Sequence, residues 1–207
     1  MELLARADRI KYDVFRRRMA LSVPAKIVLA FSFAALTGLL AQVKFYLPFT
    51  PVPVTLQTFA VLLAGVMLGR WWGGAAMAAY AGLGIAGVPW FAAGTSGFGA
   101  TFGYLAGFVL AAMFIGYMTD KYIRARAFSR MFGLMAATSV LLIYIPGAVW
   151  LALWLGMAGK TVTFASIMAM SVLPFIAGDI VKTMAAAAIA YAATPKQAYN
   201  GESDGGK

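Results

Sequence analysis

The chain has 207 residues, 62% of them hydrophobic and only 12% charged, roughly half the charged share of an ordinary soluble domain. Its net charge of +10 lies mostly beside apolar tracts, which points to anionic lipid and membrane topology rather than to nucleic acid. With no cysteine and no histidine, the chain cannot form disulfides or thiolate metal sites, and it lacks imidazole acid–base chemistry; no metal or cofactor is expected.

Residues 1–23, MELLARADRIKYDVFRRRMALSV, are too charged for a cleaved leader and read as a cytoplasmic, surface-lying amphipathic lead-in. Six apolar tracts follow, at about 24–43, 54–68, 73–91, 101–119, 129–155 and 175–194. They predict an all-α membrane protein, a bundle of six transmembrane helices. No polar linker interrupts them, so 1–207 reads as a single domain: lead-in, bundle over 24–194, and cytoplasmic tail over 195–207.

Charge sets the orientation. With six spans, Arg6, Arg9, Lys11, Arg16, Arg17, Arg18, Lys26, Arg70, Lys121, Arg124, Arg126, Arg130, Lys196 and Lys207 fall on one side. Only Lys44 and Lys160 fall on the other. The positive-inside rule then places both termini in the cytoplasm of a multi-pass protein, expected in the bacterial cytoplasmic (inner) membrane.

Between the first two tracts lies KFYLPFTPVPVTLQT, in which Pro48, Pro51 and Pro53 stiffen a plug carrying Phe45, Tyr46 and Phe49. Thr55 and Gln57 follow at the mouth of the second span, where Gln57 can bond another helix or a ligand. The stretch GVPWFAAGTSGFGATFGYLAGF, residues 87–108, has too much glycine to remain helical throughout. At membrane depth such backbone must be buried or line a cavity. Trp90, Phe91, Phe98 and Tyr104 are candidate walls there, and Trp150, after Pro146 and Gly147, is another; Trp90 and Trp150 read equally well as interface anchors. The small-residue series Gly65/Gly69, Gly99/Gly103/Gly107 and Ala30/Ala34/Gly38 allow close helix packing.

Taken as one helix, residues 163–194 would measure about 48 Å at 1.5 Å per residue, too long for a hydrocarbon core of roughly 30 Å. Pro174 suits a first helical turn, so the sixth span is placed from about Phe175, with 161–173 a short helix or lid on the outer side. Asp179 and Lys182 then sit one turn apart in the outer half of the membrane. A lone charge there costs at least about 2.5–3.5 kcal/mol, so the two are either a structural pair or the polar wall of a ligand pocket. Gly178 beside them lets backbone approach a ligand. No phosphate-binding G-x-x-x-x-G-K-[ST] loop is present, so energy for uphill transport would come from partners.

The segments PFTPVPVTLQTFAVLLAGVMLG (48–69), AYAGLGIAGVPWFAAG (79–94), GYLAGF (103–108) and PFIAGDIVK (174–182) together resemble the BioY family. These are biotin-specific substrate-binding (S) components of energy-coupling factor (ECF) transporters. The resemblance implies an ECF S-component-like bundle of six helices, both termini inside, with biotin bound near the outer face under a lid formed by loop 1. That lid would include Tyr46, Phe49, Pro51 and Pro53. It also implies a transmembrane coupling protein and two cytoplasmic ATPases as partners, docking onto Ala30 and Ala34. The family's helix-6 motif matches Gly178, Asp179 and Lys182. Two departures are Ala100 and Phe102 where members commonly carry Pro and Gly, and Ala177 where many carry Pro.

The candidate ligand-binding set is Asp179, Lys182, Gly178, Gln57, Thr55, Trp90, Phe91, Gly94, Tyr104 and Trp150. The expected function is biotin capture and uptake without covalent chemistry, biotin being cargo rather than cofactor. The alternatives are uptake of another small vitamin-like ligand, or a structural or assembly role in the membrane.

Overall fold

The computed structural model describes residues 2–196, without the side chains of residues 1–8 and 19. The side chain of Arg6, the tail beyond residue 196 and with it Lys207 therefore lie outside the described residues. Five stretches are helical, long and apolar enough to cross a membrane: Val23–Gln42, Gln57–Ile85, Phe102–Lys121, Phe128–Met157 and Phe164–Ala193. The protein is thus an all-α, multi-span membrane protein.

Helix α1 (Glu2–Ala20) is the lead-in, and α2 (Val23–Gln42) begins at Ser22 with Pro24 in its first turn. The buried residues of α2, Ala30, Ala34, Thr37, Gly38 and Ala41, recur at helical spacing and form one face. Its other faces expose Val28, Phe31 and Leu39, as suits a helix bathed in lipid. Helix α3 (Gln57–Ile85) holds the second and third predicted tracts. Gly69, at φ 79° and ψ −178°, breaks it, and the chain doubles back. Gln57 Nε2 donates to Tyr80 Oη at 2.7 Å, although 23 residues of straight helix would separate them by about 34 Å. Gly73 lies so close to Gly65 that a Cβ on Gly73 would come within 2.9 Å of the Gly65 Cα. The two arms of α3 are therefore an antiparallel pair.

Helix α4 (Phe102–Lys121) packs most extensively against α3, with Gly65 seated on the Ala112 carbonyl. Helix α5 (Phe128–Thr138) passes through a π-helical segment, Ser139–Tyr144, into α6 (Ile145–Met157). Pro146 explains the wide turn: it has no N–H for the Leu142 carbonyl, and its ring crowds that oxygen. Gly103 and Gly107 of α4 lie directly on the carbonyls of Pro146 and Leu142, so this helix pair meets backbone to backbone. Helix α7 (Phe164–Ser171) opens with a capping box between Thr163 and Ser166. Val172, at φ −129° and ψ −59°, separates it from α8 (Leu173–Ala193). The expected break is real but falls two residues before Pro174, which sits in the first turn of α8.

The ends of the bundle differ. At one end, a two-strand hairpin, β1 (Lys44–Phe45) with β2 (Val54–Thr55), pinches off loop 1 beside α7 and the irregular segment 86–101. At the other, Phe15 of α1 is buried between two guanidinium groups, 4.0 Å from that of Arg18 and 4.4 Å from that of Arg126. Arg18 pairs with Asp120 at the end of α4 and donates to the Val66 carbonyl. Asp120 also accepts the Arg70 N–H at 3.2 Å, just past the Gly69 turn. Arg126 is fully buried and donates to the carbonyls of Thr119 (2.9 Å) and Pro195 (3.4 Å).

Candidate ligand-binding site

On α8, Phe175, Asp179, Lys182 and Ala186 recur at intervals of four, three and four, which puts them on one inward face, while Ile176, Ile180 and Val181 point outward. Asp179 and Lys182 are 6% and 7% exposed and form an ion pair through Asp179 Oδ1. Neither is left with one partner. Tyr144 Oη donates to Asp179 Oδ2 at 2.6 Å, and Lys182 Nζ donates to the Thr55 carbonyl at 2.9 Å. Beyond Thr55, its hydroxyl donates to Gln57 Oε1 at 2.8 Å, and Gln57 Nε2 reaches Tyr80. A run of polar contacts therefore crosses the molecule from Tyr144 to Tyr80, joining the π segment, α8, loop 1 and both arms of α3.

This run borders a narrow, partly open cavity that leaves about 50 Å³ free, so a small molecule enters only as the lining side chains part. Phe91, Tyr104, Phe108, Ile143 and Phe175 line it with apolar and aromatic surface, and Val52 and Pro53 close it from loop 1. Such a surface offers one polar side and several flat apolar ones, the requirements of a compact ring carrying a few donors and acceptors.

Of the predicted residues, Asp179, Lys182, Gln57, Thr55, Phe91, Tyr104 and Pro53 meet at this cavity. The others do not line it. Trp90 stacks at 5.3 Å from Tyr80 and donates its indole N–H to the Tyr80 carbonyl at 3.0 Å. Trp150 likewise donates to the Gly99 carbonyl at 2.9 Å and packs on Phe102. Trp150 thereby satisfies a carbonyl of the irregular segment 86–101 and Trp90 pins that segment to α3, so both brace the walls rather than form them. Phe98, a further candidate wall, is exposed and packs on Phe102. Gly94 is needed for its positive φ of 66° and donates its N–H to Gln42 Oε1 at 3.2 Å. Gly178 is exposed behind the pair, beside the Lys182 stem.

The loop-1 aromatics Tyr46 and Phe49 are 53% and 55% exposed and turn away from the cavity. Phe49 and Pro51 instead line a separate recess with Trp154 and Lys160. What fastens the loop is Thr50, buried, whose hydroxyl donates to the Met170 carbonyl at 2.7 Å and accepts the Val52 N–H at 3.1 Å. Ala30 and Ala34 are 5% and 0% exposed, their face filled by the rest of the same chain. Docking a partner through them requires α2 to move off that surface.

Sequence reading passed over Tyr144, Phe175, Phe108 and Val52. Each is an apolar or aromatic residue in an apolar run, with no spacing signal to separate it from core. Only the helical register from Asp179 back to Phe175 could have found one of them.

Comparison with known proteins decides the family. The model of the BioY family matches residues 15–198, from within α1 to past the end of α8. The chain belongs to the BioY family. The family expected from its motifs is thus the one found, and the match takes in every element of the cavity. Among similar BioY proteins, the "Probable biotin transporter BioY" of Methanothermobacter thermautotrophicus is 48% identical over 69% of this chain and 94% of its own length. The protein of the same description from Pyrococcus horikoshii is 37% identical over 76% of this chain and 89% of its own. The crystal structure of an S-component for biotin from an ECF-type ABC transporter superposes with a TM-score of 0.72 at 21% identity, covering 83% of this chain and 93% of that one. At that identity the likeness speaks for the fold, which is that of an ECF S component.

Proposed function

We propose that this BioY-family chain binds biotin in the cavity above Asp179 and Lys182 and carries it across the cytoplasmic membrane as the S component of an ECF transporter. One observation carries the reading: a buried carboxylate–ammonium pair borders a cavity with aromatic walls. Membership of a family whose relatives are described as biotin transporters supports the choice of ligand.

Biotin matches the lining. Its ureido ring donates N–H groups, its bicycle and chain are apolar, and its carboxylate is anionic. The ureido ring and the carboxylate stand at opposite ends of the ligand, whereas Asp179 and Lys182 touch. Binding therefore draws Lys182 off Asp179 and off the Thr55 carbonyl toward the ligand carboxylate. Asp179, with Gln57 along the same polar side, then takes the ureido N–H groups, while Phe91, Tyr104, Phe108 and Phe175 hold the apolar parts. A charge-assisted bond in such a site contributes about 1.5–3 kcal/mol, enough to orient the ligand.

The reversal at Gly69 supports counting α3 as two crossings, giving six in one domain. The basic end, with Arg18, Arg70, Lys121, Arg126 and Lys196, then faces the cytoplasm with both termini, and the cavity opens away from it. A transmembrane coupling protein and two cytoplasmic ATPases supply the energy that this chain has no motif to supply.

Uptake of tritiated biotin in cells lacking other biotin importers, with and without a co-expressed coupling module, tests the reading. Saturable uptake that depends on this chain is expected. No uptake in either condition would overturn it.

A further inference from the structure

The role of Tyr144 follows from what happens to Asp179 when Lys182 turns away. In the structure the carboxylate has two neighbours of use: Lys182 on Oδ1 and the Tyr144 hydroxyl on Oδ2. Oδ1 takes no other donor among the described residues. A ligand that recruits Lys182 removes the cation and leaves a carboxylate that is 6% exposed, a state that is costly unless a donor remains. Tyr144 is that donor. Its hydroxyl stands on α8's inner face from a different helix, so movement of Lys182 does not disturb it.

The backbone is built for this placement. Tyr144 is the last residue of the π-helical segment Ser139–Tyr144, two residues before Pro146. A π turn shifts every following side chain around the helix axis, a device often found at functional sites. The ring is 5% exposed and lies 6.3 Å from Phe175. It also borders two spaces at once: the central cavity, and an apolar groove between α6 and α7 that includes Ile145, Val149 and Phe164. Its hydroxyl therefore fastens a wall between the polar cavity and the lipid-facing groove to the charged residue of the site.

We propose that Tyr144, aimed by the π segment, is a positioning residue that holds the Asp179 carboxylate in place when the ligand's own carboxylate takes Lys182 away. A carboxylate offers about four acceptor positions, so with Tyr144 on one and Lys182 gone, the rest are turned to ureido-type N–H donors. Tyr144 thus favours ligands that carry both an anionic end and an N–H-bearing ring.

This inference rests on the biotin reading, and its test separates the two. Binding of biotin and of biotin methyl ester is measured for the purified wild type and for Tyr144→Phe. The ester cannot claim Lys182, which then stays on Asp179 and makes the tyrosine hydroxyl redundant. Tyr144→Phe is expected to weaken biotin about tenfold or more, and the ester less than about threefold. In an Asp179→Asn background the same substitution is expected to change biotin affinity less than about twofold, because no buried charge is left to hold. Equal losses for both ligands, or a full loss retained in Asp179→Asn, assign Tyr144 to packing and overturn the inference. Unaltered biotin binding by Tyr144→Phe also overturns it. A wild type that binds neither ligand overturns the biotin reading itself.

Discussion

Two ionic clusters lie near opposite ends of this bundle, a buried one at the cavity and a half-buried one at the basic end, and they are built from the same parts for different ends. On α4, Tyr104 beside the cavity and Asp120 at the basic end are 16 residues apart, about 24 Å along the helix. Asp120, like Asp179, is paired with a cation, but Arg18 comes from α1 whereas Lys182 lies one turn along the same helix as Asp179. Yet Asp120 ties together α1, the Gly69 turn and α4, with Phe15 and Arg126 packed alongside and Gly69 against its carboxylate. Asp179 and Lys182 face a cavity and are held by partners that can be exchanged. A charge inside a membrane protein is thus read not from its presence but from what lies on its free side.

If that contrast is right, damage at the basic end removes stability and damage at the cavity removes affinity. The largest effect on folding is expected from Arg126→Ala, which strips fully buried carbonyls of their donor and opens a void. It should lower stability by about 3 kcal/mol. Denaturation in detergent checks this, with biotin affinity expected within about twofold of wild type for the protein that remains folded. Gly69→Ala comes next, at about 2 kcal/mol, because alanine resists this positive φ and its Cβ would lie 2.6 Å from Asp120 Oδ2. A variant as stable as wild type would show that the turn does not depend on glycine. The smallest effect is kinetic. Thr50→Val removes the bond from loop 1 to Met170 and should speed biotin release roughly three- to tenfold, followed by chase of labelled ligand. An unchanged release rate would exclude Thr50 as a fastening of loop 1 that governs release.

Much of this was legible from residue order. The gap between the apolar tracts 54–68 and 73–91 put Arg70 in a turn, and the chain turns at Gly69. The length of 163–194 together with Pro174 demanded a break, and Val172 supplies it. The spacing of Asp179 and Lys182 allowed the contact that they make, with a structural pair and a pocket wall both left open. The roles of Trp90 and Trp150 were not legible, because the carbonyls their indoles meet depend on how segment 86–101 folds back onto α3 and α6. The π segment was hidden for a related reason: Pro146 announces a disturbed turn but not the direction in which the helix yields. Ala30 and Ala34 show the limit of a small-residue motif, which specifies close approach without saying to what.

Titration calorimetry of biotin against Asp179→Asn, Lys182→Ala and Asp120→Asn puts the contrast to its sharpest trial. The two cavity variants should each lose at least about tenfold in affinity while remaining folded, and Asp120→Asn should lose less than about twofold. Wild-type affinity in both cavity variants, or an equal loss in Asp120→Asn, would contradict the assignment of the cavity pair to the ligand.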